Sequence, residues 1–156
     1  MVSLETIEKM MQASVDQVFE QLGGKDAVGV KVRSENEMER LLREGLPVSV
    51  LANFRENWSF TVMELAGTLA IPKSTLMRML ERRNRMDPGD SDRVYRLAAI
   101  LALAEQAIGD RKKAQHWLRQ TNEVLGNQTP LRALETEIGV RRVEQILGRI
   151  AYGGVS

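Results

Sequence analysis

The sequence has no cysteine and a single histidine, His116, among its 156 residues. Without cysteine there are no disulfides, no thiolate metal sites and no cysteine nucleophile. One histidine does not make a metal-binding cluster, and the sequence has neither a glycine-rich phosphate loop after a strand nor a spaced pair of carboxylates. We therefore expect no metal, no cofactor and no enzymatic activity, and we interpret His116 as a structural or surface residue.

Long apolar runs are also lacking. Five charged residues interrupt the first 22 positions, which therefore match neither a secretory signal nor a membrane span, and no later run approaches about 20 apolar residues. Apolar residues make up 43% and charged residues 28% of the chain, a composition typical of a folded globule. These features predict a cytoplasmic protein with no membrane partner.

Net charge is only +1 for the whole chain, but it is unevenly distributed. Residues 1–47 carry a balance of −3, residues 48–110 are neutral and residues 111–156 carry +4. Within the neutral middle, residues 73–85 combine one carboxylate, Glu81, with five basic side chains: Lys73, Arg78, Arg82, Arg83 and Arg85. Such a concentration over 13 residues is the first indication of a functional surface.

The first 47 residues carry two helix patterns and one extended pattern. Apolar residues recur at three- and four-residue steps over residues 3–22, which predicts a helix capped by Ser3 and ended by the two glycines that follow. Valines alternate with small or basic residues over 27–33, which predicts a short extended piece. Ser34 and Glu37 have the spacing of a capping box and predict a further helix.

Capping residues and apolar periodicity divide the rest of the chain into a series of helices. The pattern predicts helices over about 49–56, 62–70, 73–83, 90–108 and 111–119, a short helix after Pro130 and a last helix after Thr136. The expected buried residues of the last helix are Ile138, Val143, Ile146, Leu147 and Ile150. The sequence as a whole therefore predicts an all-α fold.

The helices predicted at 62–70 and 73–83 have the form of a helix-turn-helix, because a connection of a few residues joins them and the second is polar and basic on its outer side. Ala66 is small enough for the helix crossing, and the shared core is expected to be Leu69, Ile71, Leu76 and Leu80. The side chains that we expect to contact DNA are Lys73, Ser74, Thr75, Arg78, Arg82 and Arg83.

Two observations keep another interpretation open. Basic helices are often only solvated surfaces, and helical hairpins also occur in proteins that never bind DNA. The turn position held by Ala70 is often glycine, because a left-handed backbone is easiest without a Cβ. The alanine therefore predicts a tighter turn or a less regular motif.

Over about residues 46–156 the chain resembles the antitoxins of the Xre/MbcA/ParS class, which are partners of RES-domain toxins. The resemblance rests on the segments ELAGTLAIPKSTLMRML and SDRVYRLAAILALAEQAIGD and on a C-terminal signature. That signature comprises Ala114, Trp117, Leu118, Asn122, Leu125, Gly126, Thr129, Pro130, Leu131, Leu134, Thr136, Gly139, Val143, Leu147, Arg149, Ile150, Tyr152 and Gly153. It implies an all-helical protein that dimerises, binds a toxin through its C-terminal part and represses its own operon.

The C-terminal part carries the residues that we expect to contact a protein partner. Arg141, Arg142 and Arg149 fall beside or opposite the apolar side of the last helix, and an arginine fork suits carboxylates and phosphates. A solvated surface is an equal alternative for the first two. Tyr152 and Gly153 begin a short tail that could enter a partner's cleft, and the resemblance implies that this end helps to cover an active site that consumes NAD.

The sequence thus predicts an N-terminal helical extension at 1–47, an Xre-like helix-turn-helix domain at 48–109 and a toxin-binding domain at 110–156. The expected function is that of an antitoxin that binds a RES-domain toxin and operator DNA, as a homodimer and in a hetero-oligomer with the toxin. The alternatives are a stand-alone helix-turn-helix repressor without a toxin, and an interaction scaffold that no longer reads DNA.

Overall fold

The computed structural model describes residue 3 and residues 13–82 and 84–153, and all regular elements within them are helical. The predicted all-α fold is confirmed. The helices are α1 (Val15–Gln21), α2 (Gly24–Val28), α3 (Glu35–Glu44), α4 (Ser49–Trp58), α5 (Val62–Leu69), α6 (Lys73–Glu81), α7 (Pro88–Ile108), α8 (Arg111–Leu118), α9 (Pro130–Ala133) and α10 (Glu137–Tyr152), with a 3₁₀ turn at Glu123–Leu125 that the sequence analysis missed.

Helix α7 is the central element of the fold. Asp87 caps its start by accepting a hydrogen bond from the Asp90 amide, Pro88 occupies the first turn, and Gly109 ends it in a left-handed conformation. Its apolar residues pack against α1, α3, α5, α8 and α10. Elements from all three predicted segments therefore share one hydrophobic core around this helix.

Most of the predicted helix starts are confirmed by their caps. The side chains of Thr61, Asp110, Thr129 and Thr136 each accept a hydrogen bond from the backbone amide three residues later. Thr61 also forms a reciprocal capping box with Glu64. No helix within the described ranges is both long and apolar enough to cross a lipid bilayer.

Within the described residues, the predicted N-terminal helix is confirmed only from Val15 onward. Ser14 has an extended backbone, with φ −69° and ψ 160°, and forms a capping box with Gln17, so α1 starts only at Val15. The predicted apolar positions Leu4, Ile7 and Met11 lie outside the described residues. Gly24, expected to end the helix, instead begins α2.

The predicted extended piece at 27–33 is also wrong. Its first two residues belong to α2, and the segment that follows has no strand neighbour within the described part of the chain. Val28 and Val32 are buried while Val30 is exposed. The alternation thus reflects packing of a helix end and a loop onto the core, since an isolated strand has no partner to satisfy its backbone.

Two predicted buried residues of the last helix are exposed. The inward side of α10 is formed by Val140, Val143 and Leu147, and Ile138 lies on the opposite side with 72% of its surface exposed. Ile150 shares the side of Val143, seven residues earlier, but it is exposed because it lies beyond the last buried residue of the helix.

Candidate nucleic-acid and partner interfaces

A sharp turn joins α5 to α6. Ala70 adopts the left-handed conformation, with φ 54° and ψ 42°, and the Ile71 amide donates to the Ala66 carbonyl at 3.0 Å. Arg93 of α7 donates to the Ala70 carbonyl at 3.4 Å. The prediction of a tighter or less regular turn is therefore wrong, because alanine itself takes the glycine-like conformation, at a cost of about 1 kcal/mol.

The core of this motif is as predicted. Ala66, Leu69, Ile71 and Leu76 are buried, and Leu80 packs against them from a partly buried position. With Leu76 facing inward, the helical period turns the opposite side of α6 to solvent. The two helices therefore form a helix-turn-helix with an exposed second helix.

The outer face of α6 displays most of the predicted DNA-binding residues. Lys73, Ser74 and Arg78 are exposed and Thr75 is half-buried. A guanidinium nitrogen of Arg78 lies 3.5 Å from the Thr75 hydroxyl, to which it donates. These side chains supply two cations and two hydroxyls on one short helix, the groups that bind phosphates and base edges.

The end of the motif differs from the prediction. α6 ends at Glu81, and Arg82 follows in an extended conformation, with φ −97° and ψ 136°. Arg82 is exposed, but the direction of its side chain is set by the conformation of the loop and not by the helical period of α6. The predicted Arg83 lies outside the described residues.

The segment after α6 is fixed to the start of α4. The Val48 amide donates to the Asn84 carbonyl at 3.0 Å, and the Met86 amide donates to the Leu46 carbonyl at 2.8 Å. Arg85 donates to the Gly45 carbonyl at 2.7 Å. Arg85 therefore supports the fold, whereas Lys73, Arg78 and Arg82 present their charges to solvent.

Sequence reasoning missed Met77. This residue is 46% exposed and lies on the outer face of α6, three residues after Ser74 and directly before Arg78. An isolated methionine in an apolar pattern is easily taken for a core residue. Once Leu76 is assigned to the core, however, the same helical period that directs Arg78 outward also exposes Met77.

The outer face of α10 collects the predicted partner-binding residues. Arg142, Arg149 and Tyr152 lie on the side opposite the buried set, together with the exposed Ile138. Arg141 lies beside them. Gly153 follows the last helical residue and is half-buried. The result is a stripe of arginines with an apolar residue at each end.

Contacts within the chain position two of these arginines. Arg141 forms an exposed ion pair with Glu137, with a nitrogen–oxygen distance of 3.6 Å. Arg142 donates to the carbonyl oxygen of Val124, which ties the 3₁₀ turn to the first half of α10. The Val124 side chain is exposed, so this contact adds a second apolar residue near the Ile138 end of the stripe.

Glu144 lies on α10 between this stripe and the core. Its partial burial raises the pKa of its carboxyl group, although the charges of Arg96 and Arg141 oppose the increase. Arg96 belongs to α7, so the charge pattern of α10 is coupled to the central helix.

His116 is exposed and pairs with Gln120 at 2.8 Å, in agreement with its interpretation as a surface residue.

These features define a class of protein: an all-helical chain with a helix-turn-helix of the type that DNA-binding proteins use, followed by a further helical segment. Residues 37–99 match the family model described as the antitoxin Xre-like helix-turn-helix domain. Residues 103–153 match the model described as the antitoxin Xre/MbcA/ParS C-terminal toxin-binding domain. The chain belongs to the Xre family of antitoxins.

Several curated relatives support this assignment. The chain is 32% identical over 123 residues to an "Antitoxin Xre" of Pseudomonas putida, an alignment that covers 79% of this chain and 76% of the relative. It is 30% identical over 131 residues to an "Antitoxin Xre" of Photorhabdus laumondii, with 83% and 88% covered. A Yersinia enterocolitica "Antitoxin Xre" is 28% identical over 113 residues, with 72% and 76% covered. Members of this family are regulators that bind other macromolecules, in agreement with the prediction that the chain is not an enzyme.

Proposed function

We propose that the chain neutralises a RES-domain, NAD-consuming toxin through its C-terminal domain and represses its own operon by binding operator DNA. The observation that carries this proposal is the presence of two exposed arginine-bearing helix faces, one in each matched domain. A stand-alone repressor needs only the face on α6. The face on α10 is the feature that favours a second macromolecular partner.

The DNA half of the proposal rests on α6. A helix-turn-helix places its second helix in the major groove, with its N-terminal residues at the base edges. Lys73 and Ser74 occupy the first turn of α6, Arg78 follows on the second, and Arg82 adds a cation beyond the helix end. We propose a homodimer, because two copies of such a helix read two half-sites of a palindromic operator.

The toxin half rests on the outer face of α10. Arginine is suited to carboxylates and to phosphates, and a toxin that consumes a dinucleotide has a pocket for a phosphorylated substrate. Arg149, Tyr152 and Gly153 lie at the C-terminal end of the stripe, where they would reach the mouth of such a pocket. Arg141 and Arg142 would contact the surface beside it.

The proposal also assigns each part of the chain. We place an N-terminal extension at residues 1–47, DNA binding at 48–109 and toxin binding at 110–156. Packing of α1 and α3 on α7 gives the extension a supporting role for the other two parts. We place the protein in the cytoplasm, where operator DNA is accessible.

The test is co-expression with the product of the neighbouring reading frame. The expected result is a purifiable complex and rescued growth, together with salt-sensitive binding of the purified chain to its own promoter. R78A/R82A should abolish promoter binding and keep growth rescue, whereas R149A should weaken rescue and keep promoter binding. Absence of both complex and rescue, with promoter binding intact, would favour the stand-alone repressor.

A further inference from the structure

The outer face of α6 has an apolar centre between its cations. Met77 follows Lys73 by four residues and Ser74 by three, so the three side chains share one face of the helix. Arg78 adjoins them, and α6 carries its one carboxylate, Glu81, at its last position. Around Met77, this face of α6 therefore presents two cations, the Ser74 hydroxyl and one exposed thioether.

The fold does not require a methionine at this position. Leu76 is fully buried and fills the inward side of α6, where Met79 and Leu80 add partly buried contacts. Met77 is 46% exposed on the other side. Its side chain is therefore available to an occupant of the same surface that Lys73 and Arg78 would hold by charge.

The chemistry of that occupant follows from the neighbouring charges. A second copy of the same face would bring like charges together, whereas DNA complements them. In the major groove, the C5 methyl of thymine is the apolar group among the hydrogen-bonding edges of the bases. Methionine is flexible and polarisable, so it adapts well to such a contact.

We propose that Met77 reads thymine, by packing its thioether side chain against the C5 methyl of one thymine in each half-site. This inference rests on the proposed binding of operator DNA. It adds a direct base contact that discriminates thymine from cytosine, next to phosphate contacts that carry no sequence information.

The test replaces thymine by deoxyuridine, which removes only the methyl group. A binding duplex is first selected from a random library with the full-length protein, and its affinity is then compared with that of the same duplex containing deoxyuridine. Loss of one buried methyl should weaken binding about fourfold for each half-site that is substituted. Substitutions made one position at a time should locate the effect at one thymine per half-site.

Variants of the protein test whether Met77 causes the difference in affinity between the thymine duplex and the deoxyuridine duplex. M77A should bring the ratio of the affinities for the thymine and deoxyuridine duplexes close to one. M77L should keep most of the preference for thymine, because leucine is also apolar. M63A is the matched control, since Met63 is an exposed methionine on α5, with 70% of its surface exposed, and its loss should leave the thymine-to-deoxyuridine affinity ratio unchanged. Unchanged melting temperatures show that the variants fold.

The outcomes separate this inference from the function on which it rests. If no duplex is recovered by the selection, operator binding and the thymine contact both fail. If a duplex is recovered and deoxyuridine has no effect, or if M77A keeps the full ratio, the thymine contact alone is wrong. M77A could also weaken binding to the thymine and deoxyuridine duplexes equally and shift the oligomeric mass. That result would assign Met77 to a contact between copies of the chain and would also overturn the thymine contact.

Discussion

Arg119, just after α8, binds Glu64 in the first turn of α5, with 2.9 Å between its Nε and a carboxylate oxygen. The same guanidinium donates to the carbonyls of Trp58 at 3.2 Å and Ser59 at 3.3 Å, and it lies 5.5 Å from the centre of the Phe60 ring. Arg119 thus joins the toxin-binding domain to the first helix of the helix-turn-helix. The orientation of the DNA-binding unit is therefore tied to the C-terminal domain.

Removal of this arginine should destabilise the whole chain. The side chains of Arg119 and Glu64 are only 28% and 27% exposed, so R119A removes the cation from a partly buried carboxylate. It also removes the Arg119 donor from three carbonyl oxygens, those of Trp58, Ser59 and Gln115. We expect a loss of about 2 kcal/mol in the free energy of unfolding, or roughly 5 °C in melting temperature.

The matched control for R119A is R43A. Arg43 forms the same type of pair with Glu39, but the two side chains are 79% and 62% exposed. Such exposed pairs contribute little, so R43A should change the free energy of unfolding by less than about 0.5 kcal/mol. Equal losses in the two variants would show that Arg119 has no special role at the junction.

Glu64 should make the stability of the chain depend on pH. Burial raises the pKa of its carboxyl group, but hydrogen bonds from Arg119 and Thr61 and the positive charge of Arg119 outweigh this, so the net pKa is lowered. A lowered pKa contributes stability above the pKa of the unfolded chain, about 4.3, and that stability is lost as pH falls through the folded value.

The prediction is that E64Q is less stable than the parent protein at pH 7 and that the difference shrinks below about pH 4. Urea unfolding at a series of pH values measures it. In an R119A background the pH dependence of the difference should largely disappear. A difference between E64Q and the parent that is constant with pH would rule out this ionic contribution.

The pattern of caps and apolar stripes was sufficient to predict most helices. Asp87, Pro88 and Gly109 delimit α7 because each acts through its own backbone or side chain within one turn. The same local logic located the helix-turn-helix and its exposed cations. Sequence features such as these, which act over a few residues, can be recognised from the sequence alone.

The errors arose where distant neighbours decide the outcome. Periodicity predicts which side of a helix faces inward, but it does not show how far neighbouring elements cover that side, so it predicts a buried Ile150 where the structure has an exposed one. The Arg119–Glu64 pair joins positions 55 residues apart, and no local sequence pattern predicts it. Ala70 was misjudged because tertiary contacts with the turn stabilise a conformation that its propensity disfavours.

Gly139 marks a close approach between α9 and α10. A Cβ at this position would overlap the carbonyl oxygen of Ala133, and because this is a backbone atom, relief of the overlap requires the chain itself to shift. We expect G139A to destabilise the chain by at least 2 kcal/mol in urea unfolding, on the order of a severe packing defect.

The control for G139A is G89A in the first turn of α7. A Cβ there meets only the Asp87 carboxylate, at 3.4 Å, an ordinary contact. Because alanine is a better helix former than glycine, G89A should be neutral or slightly stabilising. Similar behaviour of the two variants would contradict the close approach at Gly139.

Arg78 should contribute to the salt dependence of promoter binding. If its guanidinium neutralises one phosphate, R78A should reduce the slope of log affinity against log salt by about 0.9 per bound copy. Arg43 lies on α3, outside the helix-turn-helix, and R43A should leave that slope unchanged. A slope that is the same in R78A and the parent would remove Arg78 from the phosphate contacts.

The exposed isoleucine of α10 should matter for the toxin and not for DNA. Ile138 and Val124 form an apolar area beside Arg142, and a carboxylate placed there would lose its hydration when a partner covers it. We expect I138D to weaken the complex with the toxin at least tenfold, measured by calorimetry, with melting temperature and promoter binding unchanged. V30D makes the equivalent change at an exposed valine of the N-terminal region and should leave the complex intact. Equal effects of I138D and V30D would mean that the toxin does not dock on this end of α10.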